Sequence, residues 1–171
     1  QFTDLELARE RASFLKAKAI DNLDKYLIEF EANFIKRGGK VIWARDAKEA
    51  QEEIIKVLRR FNTKTVVKSK SMVTEEVHIN DALGKEGIES LETDLGEFIV
   101  QLRKEAPYHI VTPAMHLSKE DVAKTFHEEK GTPEDYTPQQ ITAYVRKFLR
   151  EKYVSAEAGI TGANFLIADI G

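Results

Sequence analysis

The sequence predicts an α/β protein: a sheet rich in parallel strands, flanked by helices and preceded by a helical extension. Three observations predict it. Short runs rich in β-branched residues, such as Thr65-Val66-Val67-Lys68, alternate with longer segments of helical periodicity. That alternation favours parallel pairing, because parallel neighbours need a crossover and a helix is the compact one. A long apolar stripe without any β pattern stands before the first strand-like run.

The stripe runs from about Leu5 to Lys36, with Leu15, Ala19, Leu23, Leu27, Phe30 and Phe34 recurring every three or four residues. It reads as one helix, or as two with a break near Asp21-Asn22, packing on a core or docking a partner. Gly38-Gly39 ends it, since glycine accepts the left-handed geometry of a helix C-terminus. The expected division is therefore a helical extension over residues 1–39 and an α/β domain over 40–171, incomplete at its C-terminal end. Gln1 is not a natural start, and the last apolar run, Phe165-Leu166-Ile167-Ala168, has no partner strand or cap after it. The chain reads as a fragment.

Within the α/β domain, Lys40-Val41-Ile42-Trp43-Ala44 reads as a strand, and Asp46 caps a helix from Ala47 to Arg60. Thr65–Lys68 is a second strand, followed by a helix near Thr74 to Leu83. Gly87–Glu92 is a third strand, Leu95–Leu102 a short helix and His109–Thr112 a fourth strand. Ser118 with Asp121 resembles a capping box. Thr137 with Gln140 is a cleaner one, with Pro138 at the first helical position and a helix to about Tyr153. Ala158 to Phe165 is a glycine turn between two strand-like pieces.

Composition excludes several classes. The 171 residues carry 26 basic and 29 acidic side chains, net −3, without the basic excess of an electrostatic nucleic-acid binder. Hydrophobic residues make up 42% and charged residues 32%, the balance of a globular chain rather than a disordered one. There is no cysteine, so this chain itself holds no disulfide, thiolate zinc site or cysteine-ligated cluster. No apolar run is long enough to span a bilayer and no signal peptide opens the chain, so a cytoplasmic location is expected.

Ligands of open α/β sheets bind beyond the carboxyl ends of the strands, and the unusual residues gather there. Lys68, Ser69, Lys70 and Ser71 meet a helix start, with Glu75 in its first turn. Free amides and lysines there suit a phosphate or carboxylate, although the spacing is not that of a nucleotide-binding P-loop; a solvated helix cap with Ser71 as N-cap is the alternative. Glu92, Asp94 and Glu97 form an acidic group able to bind a metal or to act as acid and base, or simply to start a helix. His116 lies after the fourth strand, where it could carry a proton or hold an anion. In the glycine turn, Gly159 and Gly162 allow close backbone approach, while Thr161 and Asn164 offer polar groups. No metal-ligand spacing is present. His109 is placed at a strand start, and His78 and His127 on helices.

Four segments in this order carry a resemblance: Lys68-Ser69-Lys70-Ser71-Met72-Val73-Thr74-Glu75-Glu76, Glu92-Thr93-Asp94-Leu95-Gly96-Glu97-Phe98-Ile99, His109-Ile110-Val111-Thr112-Pro113-Ala114, and Ala158-Gly159-Ile160-Thr161-Gly162-Ala163-Asn164-Phe165. They resemble the LUD domain of the lactate-utilisation family, most closely its iron–sulfur subunit. The resemblance implies a fold similar to the sugar-phosphate isomerase and CoA-transferase superfamily. It implies oxidation of L-lactate to pyruvate by a complex with other subunits, and 4Fe–4S clusters in a cysteine-rich part beyond this fragment, with no cofactor bound by the fragment itself. It directs attention to Lys68, Ser69, Lys70, Ser71, Glu75, Glu92, Asp94, Gly159, Thr161, Gly162 and Asn164 as lining a cleft for a small carboxylate or a cofactor. Asp169 is a further candidate, standing where many relatives carry glutamate. A transferase or isomerase acting on a CoA ester or sugar phosphate is the alternative, and a non-catalytic scaffold the third reading.

Overall fold

The computed structural model describes residues 3–171. The chain divides into two compact units: residues up to Trp43 together with Ala163–Gly171, and Ala44–Gly162. The last nine residues group with the N-terminal helices.

The first unit holds α1 (Leu5–Asp21) and α2 (Leu23–Lys36). Asp4 caps α1 by accepting from the Leu7 amide at 3.0 Å. The break falls at Asn22, whose side-chain amide donates to the Lys18 carbonyl at 2.9 Å. Gly38, at φ +88°, turns the chain out of α2. Within this unit the Asn33 side chain donates to the Ala168 carbonyl at 2.9 Å, and the Trp43 indole donates to Glu31 at 3.2 Å.

Two strand expectations fail here. Residues 40–44 and 165–167 are extended or turned without a ladder. Their composition suits a strand, but a strand exists only where a neighbour answers its N–H and C=O groups. No such neighbour reaches them among the described residues.

The second unit is the α/β body. Its elements are α3 (Ala47–Arg60), β1 (Thr65–Lys68), α4 (Met72–Glu76), α5 (Ile79–Lys85), β2 (Glu89–Glu92), α6 (Leu95–Arg103), α7 (Lys119–Lys130), α8 (Pro138–Ser155) and β3 (Ala158–Ile160). The three strands form one parallel sheet in the order β2-β1-β3. Helices pack on both of its faces, as parallel sheets require. On one face Val66 joins Leu58 of α3 with Ile79 and Leu83 of α5. On the other, Leu91 joins Phe98 and Ile99 of α6, Phe126 of α7, and Val145 and Leu149 of α8. Glu157 steadies the sheet at its other end, accepting from the Lys64 and Thr65 amides at 3.2 and 2.9 Å. Those backbone donors hold its carboxyl below the usual glutamate range.

The fourth expected strand, 109–112, is a turn. Pro107 and Pro113 bracket it, and the Tyr108 amide donates back to the Pro113 carbonyl at 3.2 Å, leaving Ile110 97% exposed. The helix expected over 74–83 is split. His78 sits at φ +49°, and the Gln51 side chain takes the Val77 carbonyl at 2.5 Å in place of a helical partner.

Both capping boxes form. Ser118 and Asp121 close one around α7; Thr137 and Gln140 close the other around α8, with Pro138 in its first turn. Since α8 covers the sheet through Val145 and Leu149, Thr137→Ala is expected to lower unfolding stability by about 1 kcal/mol. Urea denaturation of the variant checks this; an unchanged midpoint would show that the cap contributes nothing to α8.

Candidate functional site

The sheet brings its strand ends together in register: Lys68 pairs with Glu92 on one side and with Ile160 on the other. Side chains alternate along a strand, so Lys68 shares the face of Val66, and Glu92 points away from the face of Leu91. Both therefore emerge on the α4–α5 side. There Lys68 Nζ lies 2.7 Å from Glu92 Oε1, 3.2 Å from Glu75 Oε1 and 3.1 Å from Thr74 Oγ1. The ammonium group has three acceptors around it, as many as it has N–H donors. Lys68 has no exposed surface, and Glu92 is 3% exposed.

A second layer holds this pair. Asn80 donates to Glu92 Oε1 at 3.0 Å and accepts from the Ser90 hydroxyl at 2.8 Å. The Glu92 amide donates to the Gln101 side chain at 3.0 Å, and Gln101 donates to the Ser90 carbonyl at 2.8 Å. Ser71 caps α4, and Thr74 donates its hydroxyl proton to the Ser71 carbonyl at 2.7 Å, which leaves its oxygen facing Lys68. Gly162 passes so close that a Cβ on it would stand 2.7 Å from Ser71 Oγ. A side chain there would push the cap away. A Cβ on Gly159 would meet only ordinary contacts, at 3.9 Å from Val67.

Beside the pair lies Glu97, 3% exposed in the first turn of α6. Asp94 caps that turn, accepting from the Gly96 and Glu97 amides at 3.0 and 3.2 Å. His109 Nδ1 stands 3.4 Å from Glu97 Oε1, and Lys70 Nζ 3.7 Å from it. Burial pushes the Glu97 carboxyl above the usual glutamate range; His109 and Lys70 oppose that shift, while Glu92 and Glu75 add to it. Glu75, Asn80, Glu92, Glu97, Gln101 and His109 are among the walls of one open cleft of about 590 Å³.

The expected site residues thus separate into groups. Lys68, Glu75 and Glu92 meet directly; Lys70 reaches Glu97; Ser71 and Asp94 are helix caps. The Ser69 amide donates to the Ile160 carbonyl at 3.0 Å, tying the ends of β1 and β3. Thr161 is exposed, next to Gly162. His116 is engaged with Glu105 at 2.7 Å, and this hydrogen bond holds the Glu105 carboxyl below the usual range. Asn164 and Asp169 are exposed in the first unit. The lysines of the Lys-Ser-Lys-Ser loop turn to carboxylates of the chain itself, so the loop offers an anion much less than its composition suggests. His109, Asn80 and Thr74 are the residues missed as site candidates; Glu97, named within the acidic group, was not singled out as a buried charge. A glutamate followed directly by Phe98-Ile99-Val100 was the available signal for Glu97, a charge set in an apolar run.

The pattern that defines the LUD domain matches residues 27–171. The chain belongs to the LUD domain family. It is 42% identical over 163 residues to Lactate utilization protein B of Oceanobacillus iheyensis and 44% identical to the protein of that name in Bacillus cytotoxicus. An Escherichia coli K12 protein described as an uncharacterized electron transport protein is 42% identical over the same length. Each alignment takes in 95% of this chain and 34% of the relative, so the chain spans about a third of their length. No solved structure matches it.

Two predictions follow from the buried charges. Lys68→Met leaves Glu92 buried without its cation and is expected to cost about 3–5 kcal/mol. The double variant Lys68→Met, Glu92→Gln keeps the acceptor for Asn80 without the charge, and it should be more stable than Lys68→Met alone. Urea unfolding of both checks the pair; a double variant as unstable as the single one would mean that the lost charge balance is not the cause.

For Glu97 the folded state holds a proton more tightly than the unfolded state. The stability this contributes is full below about pH 4.3, the ordinary glutamate value. It is lost as pH rises through the raised folded-state value. Glu97→Gln is therefore expected to match the parent chain below pH 4 and to exceed it in stability at pH 7. Denaturant midpoints measured across that range decide the matter, and a variant weaker at pH 7 would contradict the expectation.

Proposed function

We propose that the protein containing this chain is an iron–sulfur subunit of an L-lactate oxidation complex. The carrying observation is the 42–44% identity to Lactate utilization proteins B across 95% of the chain. The relative described as an electron transport protein favours a redox role. The reaction converts L-lactate to pyruvate, releasing two electrons and two protons to an acceptor.

A 4Fe–4S cluster does not fit the residues of this chain. It has no cysteine, and among the described residues no group of three or more His, Asp or Glu is placed to hold a metal ion. We assign the clusters to parts of the full-length protein outside these residues, with other subunits completing the complex. The cleft walls carry the carboxylates of Glu75, Glu92 and Glu97, which disfavours lactate or another small carboxylate in this cleft. In this reading the LUD unit organises the subunit, and lactate is oxidised at another place in the assembly. Among the described residues no helix is long and apolar enough to cross a membrane.

Deleting the gene from a bacterium that has no second lactate pathway is expected to abolish growth on L-lactate while growth on pyruvate continues. Undiminished growth on L-lactate would refute the assignment. The full-length protein, purified without oxygen and reduced with dithionite, is expected to give the electron paramagnetic resonance signal of reduced 4Fe–4S clusters. A silent, iron-free protein would refute the cluster assignment.

A further inference from the structure

Five buried side-chain polar atoms among the described residues have no hydrogen-bond partner, and three of them belong to residues lining the one cleft described above: Glu92 Oε2, Glu97 Oε1 and His109 Nδ1. The other two are the hydroxyls of Thr63 and Thr132, neither of which lines it. Carboxylate oxygens accept hydrogen bonds, and so does an unprotonated imidazole nitrogen. Leaving buried acceptors unpaired is costly, so three within the residues of one cleft mark a place that expects donors from outside the chain.

Nothing nearby supplies them. His109 Nδ1 and Glu97 Oε1 approach to 3.4 Å without hydrogen-bond alignment. Lys70 Nζ stays at 3.7 Å from Glu97, with 38% of its side chain in solvent. The N–H donors of Lys68 already face Thr74, Glu75 and the other oxygen of Glu92. Charge narrows the choice of donor. Glu75 and Asp81 also line the cleft, as does Glu105, which is paired with Arg103 and His116; Lys104 is the lysine among its walls. Carboxylates therefore outnumber lysines even when Lys68 and Lys70 are included. An anion is repelled, and an alcohol would leave the charge unbalanced. Among the described residues no group of three or more His, Asp or Glu is placed to hold a divalent metal ion.

We propose that this cleft binds the primary ammonium group of a small amine, with its N–H donors taken by Glu92, Glu97 and His109. An ammonium group carries three donors and one positive charge, the complement of those three acceptors in an acidic wall. Asp81 suits a second positive end, so a short diamine is the preferred form. This assignment is independent of lactate oxidation, since either can fail without the other.

The test is calorimetric titration of the full-length protein at pH 8 and low salt with 1,4-diaminobutane, 1,4-butanediol, magnesium chloride and sodium L-lactate. The diamine is expected to bind one to one, and the diol, magnesium and lactate not to bind. Affinity for the diamine should fall at least tenfold in Glu97→Gln, which keeps the shape and removes the charge. His109→Gln serves as the second variant, with circular dichroism confirming that each is folded. Absence of diamine binding to the parent protein would overturn the proposal, as would equal binding of the diol or of magnesium. Full affinity in both variants would place the amine elsewhere and overturn it as well.

Discussion

The arrangement of the α/β body turns on one buried ion pair. Lys68 ends β1 and Glu92 ends β2, and their register makes them neighbours on one face of the sheet. Two charges so deeply buried are tolerated only when they are paired and hydrogen-bonded. Lys68 is answered by Glu92, Glu75 and Thr74; Glu92 is answered through Oε1 by Lys68 and Asn80, while its Oε2 has no partner within the chain. That requirement draws α4 and α5 over the strand ends and fixes where the loops between them run. The break at His78 is part of the same arrangement, for it lets α4 present Glu75 and Thr74 while α5 presents Asn80.

From this pair the site follows outward. Because Lys68 is committed to carboxylates, acidic side chains predominate at this end of the sheet. Glu97 then sits in a region that already holds negative charge and little water, and burial raises its proton affinity. The site also shows why a family relationship and a local geometry answer different questions. Relatedness to lactate utilization proteins concerns a protein three times as long, whereas the cleft concerns what these particular side chains can hold.

Much of the architecture was legible in the residues. The two capping boxes, the Asp46 and Asp94 caps, the break at Asn22 and the strand Thr65–Lys68 all form where local chemistry places them. Each is decided by residues within a few positions of one another. The strands expected at 40–44 and 109–112 do not form, for the opposite reason. A β-rich run states a preference, and only a distant neighbour can satisfy it. At 109–112 the flanking prolines and the Tyr108 to Pro113 hydrogen bond offer a turn instead.

The candidate site divides along the same line. The sequence by itself determined the polar residues at the strand ends and the caps that start their helices, because these depend on spacing along the chain. It also determined membership of the LUD family, through four motifs in order. Only the tertiary structure decided that Lys68 faces inward to Glu92, that His109 comes to Glu97, and that the cleft is acidic. Those outcomes depend on strand register and on which helices cover which face, and the pairing of residues 24 positions apart is settled by the fold as a whole.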